Sequence, residues 1–184
     1  RIVEQSATAA AFEAKAPAYG VLHLSTHANG GENPGVEFAD RRMTLSEIYA
    51  QRYRADLVSL SACETNTGLL AQGEGVLSLA RAFAYAGAQS LVASYWKVSD
   101  RSTASLFAAF YNYLQGGKSR SEALQRAKLA YLDSKEPDSR KSPWHRAAFT
   151  LTGADGPVEL GGSGVSWKLA FALIMLVAAL GIWL

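Results

Sequence analysis

The scarcest reactive residue in this sequence is cysteine: among 184 residues there is one, Cys63. A single cysteine excludes a disulfide framework within the chain, and without a cysteine cluster there is no cysteine-rich zinc site. We therefore expect no metal ion and no other cofactor.

Charged residues are also few, at 18% of the chain, and the formal net charge is only +2. Lysine and arginine are scattered, without the basic runs and interleaved aromatics of a nucleic-acid surface, so we expect no direct nucleic-acid partner. Phosphate-binding glycine loops are missing as well. No G-x-G-x-x-G or Walker-type sequence follows the first apolar segment, which argues against a flavodoxin-like nucleotide binder.

The sequence does contain short apolar runs that alternate with segments of helical periodicity. Thr44, followed by Glu47, predicts a capping box at the start of one helix. Strands that are apolar throughout and alternate with helices indicate an α/β fold, with a mostly parallel sheet covered on both faces. The predicted strands are 21–26, 57–62, 90–96 and 147–152, the helices are 2–15, 44–50, 76–87, 101–115 and 119–133, and two long loops are 28–40 and 64–75.

The first two predicted strands end at the two most reactive side chains, His27 and Cys63. The carboxyl ends of parallel strands meet at one edge of a sheet, where α/β proteins place functional groups. A free thiol, with a pKa of about 8.5, needs a base near neutral pH, and histidine suits that role. The pattern alone leaves another interpretation open, in which Cys63 is a small buried side chain and His27 is structural. His23, inside the first strand, is interpreted as a hydrogen-bonded core or rim side chain.

Several motifs, in their order and spacing, resemble the CHAT family of caspase-like domains, which are commonly found behind tetratricopeptide repeats. The resemblance covers nearly all of residues 19–153, and its most specific part is the succession of SACET, GEG…RAF…AGA and W-x-V-x-D. The matching segments are LHLSTHA at 22–28, LVSLSACET at 57–65, GEGVLSLARAFAYAGAQSLVASYWKVSD at 73–100, LFAAFYNYLQGG at 106–117, EALQRAKLAYL at 122–132 and PWHRAAFTLTG at 143–153.

The resemblance implies a caspase–hemoglobinase fold for a domain over residues 1–153. It also implies a cysteine endopeptidase that acts on protein or peptide substrates, with His27 and Cys63 as the catalytic dyad. The backbone N–H groups of Ala28 and Cys63 would then hold the oxyanion. The resemblance also implies tetratricopeptide repeats upstream. The chain begins at Arg1 without an initiator Met, and we expect it to be the C-terminal piece of a longer protein.

Two positions depart from the family pattern. Ala28 stands where the family usually has Gly, and a positive φ at this position would cost an alanine about 1 kcal/mol or more. Asn66 stands where Gly is frequent, and asparagine tolerates the left-handed region well. Ala28 is the one feature that favours an alternative function, a catalytically silent CHAT module that acts as a membrane-anchored interaction scaffold.

Substrate binding is predicted at Asp100 and Glu64. The segment 96–100, WKVSD, resembles the strand-end segment of separases, in which an acidic residue meets a P1 arginine. An aspartate in such a pocket would select Arg or Lys by a charge-assisted hydrogen bond. The competing interpretation is that Asp100 caps the helix starting near Arg101. Glu64 directly follows the nucleophile, where it could line a pocket or orient a loop.

The C-terminal segment 166–184 is predicted to be a transmembrane helix, preceded by a flexible linker over 154–165. Between Trp167 and Leu184 only Lys168 is charged, and 18 residues at 1.5 Å each give roughly 27 Å, close to a hydrocarbon core of about 30 Å. Membrane lipid is therefore an expected partner, and a buried core helix is the alternative. The sequence leaves open whether the peptidase domain faces the cytoplasm or the periplasm.

Overall fold

The computed structural model describes residues 7–26, 28–29, 35–61, 75–94, 96, 98–134 and 142–158, and for residues 28, 29, 75–78 and 100 it describes the backbone alone. In chain order the strands are β1 Val21–Leu24, β2 Ala28–Asn29, β3 Gly35–Glu37, β4 Arg42–Thr44, β5 Leu57–Leu60, β6 Ser90–Ser94 and β7 Phe149–Gly153. The helices are α1 Ala9–Lys15, α2 Leu45–Ala50, α3 Gly75–Tyr85, α4 Asp100–Gln115, α5 Arg120–Leu132 and α6 Pro143–Arg146, with a 3₁₀ turn, Ala16–Ala18, after α1.

The larger sheet has four strands in the order β1-β5-β6-β7. Strands β1, β5 and β6 are parallel, and β7 runs antiparallel to β6. The sheet is therefore mostly parallel. Strands β1, β5 and β6 lie within predicted apolar runs, and β7 extends one residue beyond the predicted run 147–152. The carboxyl ends of β1, β5 and β6 share one edge of the sheet, which is the edge expected to carry the functional groups.

Helices cover both faces of this sheet. On one face Leu24 and Leu60 belong to a hydrophobic core with residues of α1, α2 and α3. On the other face Leu57 and Val92 belong to a second core with residues of α4, α5 and β7. Because successive side chains of a strand point to opposite faces, a strand buried on both faces is apolar without alternation. This burial explains the continuous apolar runs of the sequence.

A second, smaller sheet takes two of its three strands, β2 and β3, from the region predicted to be a loop. Its order is β2-β3-β4, with both pairs antiparallel, so the prediction of an irregular loop over 28–40 is wrong for the residues that form β2 and β3. Val36 of β3 and Met43 of β4 are register partners and are both buried. Gly35 allows the close approach, since a Cβ there would lie 2.4 Å from the carbonyl oxygen of Met43. The glycines of this segment predicted a loop, but one of them is what lets these strands pair.

The helix boundaries follow the capping signals of the sequence. In α2 the side chain of Thr44 accepts from the backbone N–H of Glu47, and the carboxylate of Glu47 accepts from the backbone N–H of Thr44. The predicted capping box is therefore confirmed. In the part of the chain that the structure describes, helix α1 begins at Ala9 and is capped by the side chain of Thr8. This start is later than that of the helix predicted over 2–15.

The beginning of the predicted linker is bound to α5. The carboxylate of Asp155 accepts from the backbone N–H and the hydroxyl of Ser121, at 2.9 and 2.6 Å. Hydrogen bonds from Ser121 lower the pKa of Asp155 to about 2. The buried side chain of Arg120 donates to the carbonyl oxygen of Asp155 at 3.0 Å, and Val158 belongs to the core beside α4 and α5. Asp155 and Val158 are therefore fixed to the domain.

The remainder of the predicted linker, 159–165, and the predicted membrane span, 166–184, lie outside the described residues. Of the helices that the structure does describe, none combines the length and the hydropathy needed to cross a bilayer.

Candidate active site

The strand register aligns the positions of the predicted catalytic residues. Leu24 of β1 is the register partner of Leu60 of β5, and Leu60 is the partner of Ala93 of β6. His27 and Cys63 each follow these level positions by three residues in the sequence. Both side chains lie outside the described residues, as does Glu64. The structure therefore describes the strands that lead to the predicted dyad, and the anchoring of their ends.

The chain on either side of position 27 is tied to β3. The hydroxyl of Thr26 donates to the carbonyl oxygen of Glu37 at 2.6 Å, and Ala28 pairs with Val36 across β2 and β3. Glu37 in turn forms an ion pair with Arg42 of β4. Since Ala28 lies in a β-strand, its backbone is extended and its φ is negative. An alanine adopts this conformation without strain, so the replacement of the usual glycine is accommodated here.

The end of β5 is held by Ser61, two residues before Cys63. The backbone N–H of Ser61 donates to the carbonyl oxygen of Leu24 at 3.0 Å. Its hydroxyl lies 3.4 Å from the same oxygen and 3.3 Å from Nε2 of His23. These contacts join the carboxyl ends of β1 and β5 beyond the last paired residues of the two strands.

The imidazole of His23 lies between β5 and α4. Its Nδ1 is 2.8 Å from the hydroxyl of Tyr111, and its ring meets those of Phe107 and Tyr111 edge-on, with centroids 5.1 and 5.6 Å apart. His23 keeps a solvent-exposed side, yet desolvation of the ring lowers its pKa to about 4. Burial raises the pKa of Tyr111 above its usual value, so both side chains are neutral at physiological pH. The interpretation of His23 as a hydrogen-bonded side chain is confirmed.

Comparison with known families decides what kind of domain this is. The family model of the CHAT domain matches residues 2–154. The chain belongs to the CHAT family. CHAT domains are part of the caspase-like cysteine peptidase superfamily, and the mixed α/β architecture with a mostly parallel sheet is consistent with that membership. The resemblance described from the sequence motifs is thereby confirmed.

Two curated relatives carry a similar CHAT segment. Tetratricopeptide repeat protein 28 of Mus musculus is 32% identical over 113 residues, which are 61% of this chain and 4% of the relative. The protein of the same name from Homo sapiens is 34% identical over 114 residues, with the same coverage of 61% and 4%. The match therefore spans about 4% of the length of these relatives, both of which are named as tetratricopeptide repeat proteins.

The third neighbouring strand of the CHAT domain leads to the predicted substrate-binding residue. Trp96 follows Ala93 by three residues, so its position corresponds to those of His27 and Cys63. Its Nε1 donates to the carbonyl oxygen of Trp144 at 2.7 Å, and the two rings are 5.1 Å apart. This contact ties the end of β6 to α6.

The helix after this segment is capped by Ser99, whose hydroxyl accepts from the backbone N–H of Ser102 at 3.4 Å. The interpretation of Asp100 as the cap is therefore wrong by one residue. Asp100 is the first residue of α4, a position where a negative charge is favourable to the helix dipole, and its side chain lies outside the described atoms.

Sequence reasoning missed the residues that anchor the strand ends: Thr26, Ser61 and Tyr111. For Ser61 the sequence did contain a signal. His23 interrupts the first apolar run, and Ser59 and Ser61 interrupt the second, at spacings that put all three on one face of the sheet. Two of these residues, His23 and Ser61, lie within hydrogen-bonding distance of each other, as is common for polar side chains on one face of otherwise apolar strands.

Proposed function

We propose that this CHAT domain is a cysteine endopeptidase in which Cys63 is the nucleophile and His27 is its base. The observation that carries the proposal is the register of β1 and β5. In that register Leu24 pairs with Leu60. His27 follows Leu24 by three residues, and Cys63 follows Leu60 by three residues. Equal offsets on adjacent parallel strands favour a short distance between the two side chains, at the edge where α/β folds place their sites.

The reaction follows from these groups. His27 takes the proton of the thiol, and the Cys63 thiolate attacks the scissile carbonyl carbon, so that a C–S bond forms and the carbonyl oxygen becomes an oxyanion. The N–H groups of Cys63 and Ala28 stabilise that oxyanion. The C–N bond then breaks as His27 returns the proton to the leaving amine. Water, deprotonated by the same imidazole, hydrolyses the acyl-enzyme and releases the second product.

Asp100 selects a basic P1 residue in this proposal, and Glu64 lines the same pocket. Because Ser99 caps α4, the carboxylate of Asp100 is not required for that role. A carboxylate next to the reacting strand ends would attract an Arg or Lys side chain by a charge-assisted hydrogen bond.

The test is cleavage of a peptide library by the full chain in detergent, beside Cys63→Ala. We expect products with Arg or Lys at P1 from the unmodified protein and none above background from the variant. Equal product from both proteins would contradict the proposal. It would favour the alternative, a catalytically silent CHAT module that acts as an interaction scaffold.

The pocket is tested with two neighbouring substitutions. Asp100→Asn is expected to abolish the preference for basic P1 residues while the domain stays folded. Ser99→Ala, its matched control, is expected to lower the stability by about 1 kcal/mol through loss of the cap and to leave the P1 preference unchanged. A preference that survives in Asp100→Asn would remove Asp100 from the pocket.

We propose that tetratricopeptide repeats precede this domain in the full-length protein, because both relatives are named as tetratricopeptide repeat proteins. We also propose that these repeats regulate the domain. The segment 166–184 anchors the domain in a membrane, a proposal supported by its apolar composition, with Lys168 as its one charged residue. The full chain is then expected to remain with membranes through an alkaline carbonate wash, and a chain ending at residue 165 to be released. Recovery of the full chain in the wash would refute the anchor.

A further inference from the structure

We propose that Ser61, His23 and Tyr111 form a hydrogen-bond network that positions Cys63 for reaction. The inference rests on the proposed function, because it assigns these residues to the same dyad. None of the three touches the reacting atoms in this proposal; each acts by fixing the strand end from which the nucleophile extends.

The contacts of Ser61 give the reason for this assignment. The N–H of Ser61 donates to the carbonyl oxygen of Leu24. Its hydroxyl lies within hydrogen-bonding distance of the same oxygen and of Nε2 of His23. These bonds fix Ser61 to β1, the strand that leads to His27. Cys63 lies only two residues further along the chain, so a shift of Ser61 would be transmitted to the nucleophile through one intervening residue.

The contacts among Tyr111, His23 and Ser61 allow the following arrangement of protons. The hydroxyl of Tyr111 donates to Nδ1 of His23, the Nε2–H of His23 donates to the hydroxyl of Ser61, and that hydroxyl donates to the carbonyl oxygen of Leu24. This tautomer is assigned from the hydrogen-bond partners. It needs a neutral imidazole, and the desolvated position of His23 among the rings of α4 keeps the imidazole neutral. Tyr111 is the titratable side chain that the described residues place against this ring.

The same geometry argues against a second nucleophile at Ser61. A serine activated for attack donates its proton to the imidazole, whereas here the hydroxyl is turned toward a backbone carbonyl as well. An imidazole whose pKa is about 4 is also a weak base. The network therefore holds a geometry and does not itself perform a reaction.

The network is tested through the thiol, which is simple to follow because Cys63 is the one cysteine of the chain. The rate of its alkylation by iodoacetamide is measured against pH in the full chain and in His27→Ala. A thiol paired with an imidazole is expected to react with an apparent pKa below the usual value of about 8.5. His27→Ala is expected to restore the usual value.

Two substitutions of His23 separate positioning from general stability. The amide of glutamine reaches the place of Nε2, so His23→Gln keeps the bond to Ser61. The amide of asparagine reaches the place of Nδ1, so His23→Asn keeps only the bond to Tyr111. We expect His23→Asn and Ser61→Ala to move the apparent pKa of Cys63 toward 8.5, and to lower kcat by about tenfold to a hundredfold with little change in KM.

Two control variants and two contrasting outcomes separate a failure of the network from a failure of the dyad. His23→Gln and Ser105→Ala, a substitution on the exposed side of α4, are expected to behave like the unmodified protein. If Cys63 has a lowered pKa that depends on His27, yet Ser61→Ala and His23→Asn leave it unchanged, the network does not position the thiol. If the thiol of the unmodified protein titrates near 8.5 and His27→Ala has no effect, the dyad itself is refuted, and the positioning role falls with it.

Discussion

Replacing His27 by alanine is expected to lower kcat/KM for peptide cleavage by about 10²- to 10⁴-fold, the range that a positioned acid–base group contributes. In the proposed mechanism the loss has two causes: the thiol of Cys63 is no longer deprotonated by His27, and the leaving amine receives no proton. The measurement is steady-state cleavage of the best peptide from the library. Alkaline pH is expected to recover part of the activity, because it generates thiolate without the imidazole.

The double variant makes this prediction sharper. Residues that act as one catalytic unit are not additive, so His27→Ala combined with Cys63→Ala is expected to be no less active than Cys63→Ala alone. His145→Ala is the matched control, since His145 is a half-buried histidine of α6. We expect it to leave cleavage within about a factor of two, because the proposed mechanism gives His145 no role. A loss in His145→Ala as large as in His27→Ala would contradict the assignment of the base.

Replacing Gly87 by alanine is expected to destabilise the domain by about 2 to 5 kcal/mol, the sum of a left-handed backbone and an overpacked contact. Gly87 follows α3 with a φ of +106°, and a Cβ there would lie 2.2 Å from the carbonyl oxygen of Tyr53. Backbone atoms cannot move aside as a side-chain end can. The contact also matters to the sheet, because the segment around Tyr53 leads into β5 and Gly87 leads into β6.

Gly117→Ala is the control for this prediction. Gly117 also has a left-handed backbone, with a φ of +77°, but a Cβ there meets nothing within 4 Å. Its substitution is expected to cost about 1 to 2 kcal/mol from the backbone alone. Urea unfolding followed by circular dichroism measures both losses. Equal losses in the two variants would show that the close approach to Tyr53 does not matter.

The parts of the fold that could be predicted from the sequence are those set by local chemistry. Burial on both faces makes β5 and β6 apolar throughout, and the Thr44–Glu47 capping box marks the start of α2. The small sheet could not be read in the same way. Its strands are only two or three residues long, and the pairing of Val36 with Met43 depends on tertiary contact more than on local propensity.

The residues of the candidate site also differ in how far they can be predicted from local sequence. His27 and Cys63 could be proposed from the sequence because reactive side chains at the ends of apolar runs are recognisable without a structure, and they stay a prediction. Tyr111 could not be proposed, because it lies 88 positions from His23 and the two meet only when α4 crosses the sheet. Asp100 shows a smaller failure: a cap was correctly expected near this position, but Ser99 provides it, and helix ends are uncertain by a residue or two.

The attachment of Asp155 and Val158 to the domain limits how far the domain could stand from a bilayer. Seven residues, 159–165, separate that attachment from the proposed span, and a fully extended chain covers at most about 3.5 Å per residue, or roughly 25 Å in all. With the segment 166–184 inserted, the exit point of the domain stays within that reach of the lipid surface. The substrates of the domain would then be protein chains close to the membrane. Their distance from the bilayer would limit which of them reach the site, whatever their sequence at the cleavage position.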